Sequence, residues 1–230
     1  MKLLGMIGGT SWHSTIEYYR LLNQLAGEKI GADQNPPLLL YSLNIKLMRE
    51  QNLKAINTAY LEIAKKLEAA GAGAIIICAN TPHMVYSYVQ PKLNIPILHI
   101  ADAGGIEAKK KGYKRLGLLG NKPTMTKGFL QNRLRDIYNI EVILPHEEYL
   151  EECHNFVSKE LTQGKFTDEA RSFFLKQIEE LQKKGADAII MGCTELPILI
   201  PQDKTDIPLL ETTDLHAQMA VDFIFEDEEY

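Results

Sequence analysis

An internal repeat constrains the fold of this chain more than any other feature of its sequence. The segment GAGAIIICANT at 71–81 aligns without gaps to GADAIIMGCTE at 185–195, an offset of 114 residues (71 to 185). LGMIGGT at 4–10 matches LGLLGNK at 116–122, and IPILHIADA at 95–103 matches IPLLETTDL at 207–215, both at an offset of 112 residues (4 to 116, 95 to 207). Glycine turns and Ile/Leu runs are common, so one match would mean little. Three matches in the same order indicate a duplicated unit.

Short apolar runs of strand length alternate with longer segments of helical period along the chain. This alternation is typical of βαβ units that form a parallel sheet covered on both faces. The sequence therefore predicts an α/β fold. The predicted strands are 2–7, 38–43, 74–78, 97–99, 115–119, 141–144, 188–192 and 209–211, and the predicted helices include 14–25, 53–70, 127–138 and 167–184.

The repeat and the alternation together predict two pseudo-symmetric parallel-sheet α/β half-domains. We expect the first half at 1–102, with a return segment at about 214–230, and the second half at 103–213. In open parallel sheets, ligands bind beyond the carboxyl ends of the strands. We therefore expect the active site in a cleft between the two halves, lined by the residues that follow the repeated strands.

Composition and charge argue against nucleic-acid and membrane partners. The 230 residues are 45% hydrophobic and 24% charged, with a formal net charge of -5, so the chain offers no basic field to either partner. No window approaches the roughly 18 apolar residues that are typical of a membrane span. The start MKLLGMIGG lacks the long apolar core and cleavage site of a signal peptide. We expect a cytoplasmic protein.

The three cysteines, Cys78, Cys153 and Cys193, have neither CxxC spacing nor the pattern of a disulfide framework. We expect no metal site, and the question for each cysteine is its reactivity. Cys193 follows an apolar strand and precedes Thr and Glu, where a helix N-terminus would lower its pKa from about 8.5 and favour a thiolate. A small buried residue is the alternative for any lone cysteine in an apolar run.

Four polar stretches follow predicted strands: GGTS at 8–11, NTPH at 80–83, NKPT at 121–124 and CTE at 193–195. Their side-chain donors and the free N–H groups of a first helical turn can hold carboxylates. Helix capping would explain any one of them, but the four together predict a site for a small carboxylic acid. The glycine spacing of GMIGGT is not the G-x-G-x-x-G of dinucleotide-binding turns, which argues against a nicotinamide cofactor.

Segments spread over almost the whole chain resemble the aspartate/glutamate racemase family: GMIGGTSWHSTIEYYRLLN, CANTPH, IADA, LLGNKPTM and GCTELPIL. The resemblance implies a homodimer of chains with two pseudo-symmetric α/β halves, working without pyridoxal phosphate or a metal. It also implies racemisation of a small acidic amino acid, of the aspartate or glutamate type. A proton would be removed on one face of the α-carbon and returned on the other.

Inverting a stereocentre without a cofactor requires two acid/base groups, and the family usually supplies two cysteines, in C-N-T and G-C-T-E motifs. Threonine takes the first place in some relatives. In this sequence GCTE provides Cys193, but the residue before Asn-Thr is Ala79, which can neither accept nor donate a proton. The internal repeat gives the same correspondence, because 79 and 193 differ by the offset of 114. Ala79 therefore marks the position of a missing first base.

Three neighbours of Ala79 are candidates to replace that base. Cys78 is adjacent, but side chains alternate along a strand, so a regular strand would point it away from the site. The hydroxyl of Thr81 is a poor base unless bound substrate assists it. His83 titrates in the right range, although a histidine in a first helical turn is as often structural.

By the same resemblance, the residues that hold the substrate carboxylates are Thr10, Ser11, Asn80, Thr81, Thr124 and Thr194. Glu195 would orient or polarise the site. A basic residue for the side-chain carboxylate could be Arg49, Lys46 or Lys165, although each could also be a solvated surface charge.

The leading hypothesis is a cofactor-independent isomerase, an amino-acid racemase or epimerase in which Cys193 is catalytic. Because Ala79 leaves one face without a base, a one-cysteine decarboxylase or isomerase is the first alternative. A non-catalytic protein that binds a small amino acid is the second.

Overall fold

The alternating strands and helices fold into two α/β units, and the computed structural model describes them over residues 1–226. Unit 1 comprises Met1–His99 and the segment that begins at His216, and unit 2 is Ile100–Leu215. The chain thus passes from one unit to the other after His99 and again after Leu215. The predicted return segment, 214–230, includes residues 227–230, which lie outside the described residues.

Unit 1 is built on a three-stranded parallel sheet with the strand order β2-β1-β3. Every residue of β1 and β3 is buried, as their unbroken apolar sequences predict, whereas β2 becomes exposed toward its end. The strands are β1 (Leu4–Gly8), β2 (Leu38–Ser42) and β3 (Ala74–Ile77), and the helices are α1 (Trp12–Ile30), α2 (Lys46–Arg49), α3 (Leu53–Ala69) and α4 (Tyr86–Val89).

Unit 2 is built on a four-stranded parallel sheet with the strand order β5-β4-β6-β7. The strands are β4 (Arg115–Gly120), β5 (Glu141–Ile143), β6 (Ala188–Gly192) and β7 (Leu209–Glu211). The helices are α5 (Ile100–Lys111), α6 (Lys122–Thr126), α7 (Phe129–Tyr138), α8 (Leu150–Asn155), α9 (Asp168–Lys183) and α10 (Leu196–Leu199), and α11 (Thr212–Ile224) begins in this unit and continues into unit 1.

Single turns of other helix types complete the connections. They are the 3₁₀ turns Thr81–Val85, Gln90–Lys92, Glu147–Tyr149, Leu161–Gln163 and Gln202–Lys204, and the π turn Phe156–Glu160. No helix within residues 1–226 has the length and apolar character needed to cross a bilayer.

The two sheets repeat one another down to the register of their strands. Leu4 of β1 pairs with Ala74 of β3, and in unit 2 the corresponding Leu116 of β4 pairs with Ala188 of β6. The outer partners correspond as well, because Ile75 forms a parallel bridge with Ile97 and Ile189 pairs with Leu209. The sequence offsets of 112 and 114 residues are therefore the offsets of a duplicated βα framework, as predicted.

The predicted strand at 97–99 is wrong, because unit 1 has only an isolated bridge at Ile97. The backbone N–H of Ile75 donates to Pro96 O at 2.9 Å, and Leu98 N–H donates to Ile75 O at 2.8 Å. The same kind of bond occurs in unit 2, where Ile189 N–H donates to Pro208 O at 2.9 Å, but there the pairing continues to Met191 with Glu211. The counterpart in unit 2 forms the short strand β7.

Helix boundaries follow the capping residues rather than the apolar pattern alone. Ser11 caps α1 by accepting from Ser14 N–H, so the helix starts two residues before the predicted 14–25 range. Its end lies at Ile30, before Gly31, whose φ of 104° favours glycine. Asn52 and Thr167 cap α3 and α9 in the same way.

The hydrophobic core of unit 1 lies on both faces of its sheet. On one face, Leu4 and Met6 of β1 pack with Tyr18 of α1 and with Val221 and Ile224 of α11. The opposite face packs against α3, and its buried residues include Ile7, Ile75, Ile77, Ile56, Tyr60 and Ile63. In unit 2, one cluster surrounds β4 and β6.

Candidate active site

Cys193 is the first residue with a side chain beyond the end of β6. The preceding Gly192 lies so close to β4 that a Cβ there would be 2.7 Å from Leu119 O. Only glycine fits at this point, so the backbones of β6 and β4 are in close contact here. The polar residues Cys193, Thr194 and Glu195 follow directly. Cys193 is partly buried and Glu195 is 7% exposed.

The three polar residues form a hydrogen-bonded group around one carboxylate oxygen. The Cys193 thiol donates to Glu195 Oε2 at 2.8 Å, and the Thr194 hydroxyl donates to the same oxygen at 2.9 Å. A buried carboxylate is costly unless donors pair with it, and here a thiol and a hydroxyl both do so. In this arrangement the Glu195 carboxylate is the hydrogen-bond acceptor of the Cys193 thiol proton.

The prediction of a lowered pKa for Cys193 is wrong. Burial of the sulfur, and then the negative charge and hydrogen bond of Glu195, raise the pKa of Cys193 well above its ordinary value. The following helix, α10, has only four residues, and backbone N–H groups near the sulfur do not outweigh the adjacent carboxylate. Cys193 is therefore a neutral thiol near neutral pH.

Thr124 packs against the same strand end. It is fully buried, and its backbone N–H donates to Asn121 Oδ1 at 2.9 Å, which caps α6. A Cβ at Gly192 would lie 3.2 Å from the methyl group of Thr124. Unit 2 thus brings together four predicted site residues: Thr124, Cys193, Thr194 and Glu195.

In unit 1, the repeated register assigns the position of Cys193 to Ala79. Cys78 N–H donates to Ile7 O at 2.9 Å at the end of β3, and Ala79 is the next residue. Its side chain is a methyl group, so this strand end supplies no acid or base at the corresponding point. The sequence alignment of the two halves and the pairing of the strands agree on this correspondence.

Cys78 occupies the place of Gly192, and its side chain faces the core. The residue is 1% exposed and packs in the cluster with Leu4, Met6 and Tyr18. Burial raises the pKa of the Cys78 thiol. Its backbone carbonyl accepts a hydrogen bond from the Ser14 hydroxyl at 2.8 Å, which ties α1 to the end of β3. The structure thus places Cys78 where the alternation of side chains predicts, away from the polar residues.

The residues after Ala79 form a 3₁₀ turn, Thr81–Val85, rather than the start of a regular helix. Asn80 is buried, Thr81 is partly exposed and His83 is fully buried. His83 Nδ1 lies 2.9 Å from Ala79 O and 3.2 Å from Asn80 O. Because both carbonyls only accept, Nδ1 carries the proton. Burial, and then His216, lower the pKa of His83 to about 3, so its ring stays neutral and holds the turn.

Thr10 and Ser11 follow β1, and both hydroxyl groups have partners. Thr10 Oγ1 lies 2.8 Å from the hydroxyl of the buried Tyr60, and Ser11 Oγ accepts from Ser14 N–H at 3.2 Å. The turn before them requires Gly9, whose φ is 87° and where a Cβ would lie 2.1 Å from Leu43 O. This close approach explains the second glycine of the GGTS stretch.

Comparison with known proteins assigns this framework to a family. The model of the Asp/Glu/Hydantoin racemase family matches residues 7–220. The chain belongs to this family. It is thus a member of a family of amino-acid racemases, which are isomerases, and the resemblance predicted from its motifs is confirmed.

Relatives of this racemase-family chain match it over nearly its whole length. The broad specificity amino-acid racemase RacX of Bacillus subtilis (strain 168) is 24% identical over 95% of this chain and 96% of that protein. A crystal structure of a candidate Asp/Glu racemase from Yersinia pestis has a TM-score of 0.92 and 34% identity, covering 98% of this chain and 100% of its own. An aspartate racemase homologue from Pyrococcus horikoshii OT3 has a TM-score of 0.86 and 32% identity, covering 97% and 99%.

The basic candidates of this racemase-family chain lie on exposed segments. Arg49 and Lys46 are exposed on α2, with Lys46 Nζ 3.6 Å from Glu50 Oε1. Lys165 is exposed in the connection that precedes α9. Among residues 1–226, no cluster of three or more His, Cys, Asp or Glu side chains is arranged to hold a metal ion.

Three polar residues near the site were not predicted from the sequence. Tyr60 lies fifty positions from Thr10, so no local pattern connects them. Ser14 follows Ser11 by three residues, the spacing of an N-cap and the residue whose N–H donates to it, and that spacing was a usable signal. Glu211 ends β7 and pairs with Met191, which stands two residues before Cys193. Burial, and then the nearby Asp214, raise the pKa of Glu211 to about 7.

Proposed function

We propose that this chain is a cofactor-independent racemase or epimerase of a small acidic amino acid, of the aspartate or glutamate type, with Cys193 as an acid/base group. The observation that carries the proposal is the Cys193 thiol donating to Glu195 at 2.8 Å directly beyond β6. A thiol paired with a buried carboxylate has the components for moving a proton in either direction. The family match and the whole-length relatives support racemisation as the reaction class.

The proposed proton path begins from the neutral thiol. Glu195 accepts the thiol proton, and the Cys193 thiolate then removes the α-proton, which leaves a carbanion and a neutral thiol. In the reverse direction the thiol protonates the carbanion and the resulting thiolate regains a proton from Glu195. The raised pKa of Cys193 favours the thiol as the resting state and makes its thiolate the stronger base once formed.

Substrate carboxylates would be held by hydroxyl and amide donors. We assign this role to Thr124 and Thr194 in unit 2, with Arg49 as the basic residue for the side-chain carboxylate. In unit 1, Tyr60 can donate its hydroxyl proton to Thr10 Oγ1, which leaves the Thr10 proton available to a substrate oxygen. The remaining proposed donors in unit 1 are Ser11, Asn80 and Thr81.

The opposite face of the α-carbon would be served by water or by the Thr81 hydroxyl. Ala79 has no group that can carry a proton, and the burial of Cys78 in the core argues against it as the base. His83 is buried and neutral, with its Nδ1 proton committed to backbone carbonyls, which argues against it as well. A weak second base predicts slow racemisation.

The test is chiral chromatography of a panel of acidic amino acids with the wild-type chain and four variants. Cys193→Ser should abolish racemisation with an unchanged circular dichroism spectrum, whereas the control Cys153→Ser, at a buried cysteine of the same unit, should leave it unchanged. Ala79→Cys or Ala79→Thr should raise the rate, because either restores a proton carrier. Full activity in Cys193→Ser would contradict the proposal.

A second candidate is a one-cysteine enzyme that protonates a carbanion formed by decarboxylation or isomerisation, and Ala79 is the observation that favours it. Solvent deuterium exchange separates the two. A two-base racemase exchanges the α-proton with inversion, whereas a one-base enzyme exchanges it with retention or not at all. Binding without turnover, unchanged by Cys193→Ser, would instead indicate a non-catalytic amino-acid-binding protein.

We also propose a homodimer in the cytoplasm as the working form. Homodimers are implied by the family resemblance, and all three cysteines are free, which fits a reducing compartment. Size-exclusion chromatography and cell fractionation test these two assignments separately.

A further inference from the structure

We propose that Tyr60 is a positioning residue: its buried hydroxyl fixes Thr10 as a hydrogen-bond donor toward the substrate, and this donor selects a carboxylate over a carboxamide. Tyr60 OH and Thr10 Oγ1 are 2.8 Å apart. The inference rests on the proposed function, because it takes Thr10 to hold a substrate carboxylate. It goes further in assigning the selectivity of that position to a side chain that lies in the core of unit 1.

The direction of the hydrogen bond follows from the burial of Tyr60. The residue is 1% exposed, and within the part of the chain that the structure describes Thr10 Oγ1 is the only hydrogen-bond partner of its hydroxyl. If Thr10 donated, the phenol proton would remain in the core without an acceptor, which costs more than the bond contributes. Burial also raises the pKa of Tyr60, so the phenol keeps its proton. Tyr60 therefore donates, and the Thr10 proton is left for another acceptor.

Both partners of this hydrogen bond are held in place by their surroundings. The ring of Tyr60 packs among the buried residues between α3 and the sheet. On the other side, Gly9 N–H donates to Thr15 Oγ1 at 2.9 Å, and Ser11 caps α1. These bonds fix the backbone before and after Thr10. The rotation of the Thr10 hydroxyl is what remains to be set, and Tyr60 sets it.

The internal repeat shows that the packing of Tyr60 does not require its hydroxyl. The buried residues of α3 correspond one by one to those of α9 at an offset of 114 residues (60 to 174). They are Ile56, Tyr60, Ile63, Ala64 and Leu67 in α3, and Ala170, Phe174, Gln177, Ile178 and Leu181 in α9. Phe174 is fully buried and fills the position of Tyr60 with a ring that has no oxygen.

The position of Thr10 differs between the two halves in the corresponding way. At the offset of 112 its counterpart is Lys122 (10 to 122), whose ammonium group donates to Glu151 Oε2 at 2.8 Å. Of the two paired positions, only that of unit 1 thus combines a buried phenol with a hydroxyl at the strand end. The hydroxyl of Tyr60 is therefore explained by Thr10 and not by the core.

This hydrogen bond makes Thr10 a stronger and better-directed donor. A threonine hydroxyl that has no other partner donates or accepts as the ligand requires. With Tyr60 donating to Oγ1, the Thr10 proton cannot turn toward the core, and a hydroxyl that accepts one hydrogen bond is polarised to donate the next. Carboxylate oxygens only accept, and their bond is charge-assisted. A carboxamide offers one neutral oxygen and an NH₂ group, so it gains less from this donor.

The first test is the kinetics of Tyr60→Phe with the acidic amino acid that the wild type racemises. KM should rise about three- to tenfold, the size of one net hydrogen bond. The value of kcat should not change, because Thr10 holds the carboxylate equally in the substrate and in the transition state. The control is Tyr18→Phe, which also removes a buried hydroxyl and its hydrogen bond, to His216 Nδ1 at 2.8 Å. Equal KM values for wild type and both variants would overturn the inference.

The second test separates positioning of Thr10 from packing of α3. Thr10→Val removes the donor, so adding Tyr60→Phe to it should raise KM no further. Thr10→Ser keeps the hydroxyl and should retain a KM close to that of the wild type. If Tyr60→Phe raised KM by the same factor with and without Thr10→Val, the tyrosine would act through the core, and its assignment as a positioning residue would be wrong.

The third test measures selectivity without turnover, by calorimetry in the Cys193→Ser background. The probes are L-aspartate, L-glutamate and the two mono-amides of each. Tyr60→Phe should reduce the preference for the dicarboxylate over at least one of its mono-amides by about three- to tenfold. An unchanged preference in a chain whose wild type racemises would reject the role of Tyr60 alone. The reduced preference in a chain whose wild type does not racemise would reject the proposed function alone.

Discussion

At the scale of single residues, the two halves of the repeat differ most at their paired strand ends. Gly192 has no room for a side chain, whereas its counterpart Cys78 fits its thiol into the core of unit 1. At the next position it is unit 2 that has the larger side chain: Cys193 carries a thiol bonded to Glu195, whereas Ala79 carries only a methyl group. Of these two strand ends, only that of unit 2 therefore carries a thiol at this position, and Glu195 contacts it.

Replacing Glu195 should change the titration of Cys193. Glu195→Gln removes the negative charge while keeping a similar shape, so the pKa of the Cys193 thiol should fall toward its ordinary value. Burial, the largest cause of the raised pKa, remains. The measurement is the pH dependence of alkylation by iodoacetamide, whose rate follows the thiolate fraction.

Cys78 and Cys153 are buried and should react slowly, so the alkylation rate should report Cys193. The control is Glu179→Gln, at an exposed carboxylate of α9, which should leave the alkylation profile unchanged. A Glu195→Gln profile that coincides with wild type would mean that the carboxylate does not govern the thiol.

Glu211 should make stability depend on pH between its ordinary and folded pKa values. Its folded pKa is raised from 4.5 to about 7, so the protonated form favours the folded state. The stability it contributes is complete below pH 4.5 and is lost as the pH rises through 7. Because the group is only half-buried, solvent screening limits the loss to about 1 to 2 kcal/mol.

Glu211→Gln should remove this component, which chemical denaturation at pH 5 and pH 8 would measure. The difference between the two pH values should shrink relative to wild type. Glu179→Gln again serves as the exposed control. A wild-type difference that persists undiminished in Glu211→Gln would assign the pH dependence to other groups.

At the scale of elements, small residues decide where helices can approach each other. Gly105 of α5 faces α7, and a Cβ there would lie 2.5 to 2.7 Å from ring atoms of Tyr138. The two helices are also joined by Arg133, which makes two hydrogen bonds to Asp102 at 2.6 and 2.7 Å. The adjacent Gly104 would meet nothing within 4 Å.

These neighbours form a matched pair of glycine substitutions. Gly105→Ala should destabilise the protein by about 1 to 3 kcal/mol, because the Tyr138 ring must move from its site. Gly104→Ala should be neutral or stabilise by up to about 1 kcal/mol, since alanine favours a helix interior. Thermal unfolding of both variants measures the difference, and equal effects would show that the ring does not restrict α5.

Much of the secondary structure could be predicted from the sequence, because unbroken apolar runs and capping residues act locally. Strands β1, β3, β4 and β6 follow from such runs, and the repeat showed which segments of the two halves correspond. The predicted strand at 97–99 was wrong, because its pairing with β3 is limited to one bridge at Ile97, whereas in unit 2 Met191 also pairs with Glu211. The apolar pattern of the two segments is nearly the same, so it does not encode this difference in pairing.

The residues at the two paired strand ends were predictable from the sequence, but the electrostatics of Cys193 were not. The motif and the repeat located Cys193 and Ala79. The direction of the Cys193 pKa was predicted wrongly, because a following helix was expected to dominate and the helix α10 is only one turn long. Contacts such as Thr10 with Tyr60 join residues far apart in the chain, and only the folded arrangement reveals them.

At the scale of the whole molecule, α11 completes the core of unit 1 from the far end of the chain. Val221 and Ile224 are fully buried against β1 and α1. Lys2 N–H donates to Ile224 O at 2.9 Å, and Tyr18 OH lies 2.8 Å from His216 Nδ1. Unit 1 is thus discontinuous in sequence, while unit 2 is one continuous segment.

Weakening α11 should therefore loosen unit 1 selectively. Val221→Ala should cost about 2 kcal/mol through the lost methyl groups and the cavity they leave, whereas Gln218→Ala, on a more exposed side of the helix, should cost little. Hydrogen exchange should show reduced protection in β1 and β3 with smaller changes in β4 and β6. Equal losses in both sheets would contradict a separate core for unit 1.

The discontinuity also sets an order of events during synthesis. The first ninety-nine residues leave the ribosome early, yet one face of their sheet is covered by α1 without α11 until residues 216–226 have followed. Ile100–Leu215 can close its own core before that point. A chain that stopped before residue 216 would therefore carry all of unit 2 but a unit 1 with one sheet face covered by α1 alone, and that face would leave apolar surface open to chaperones.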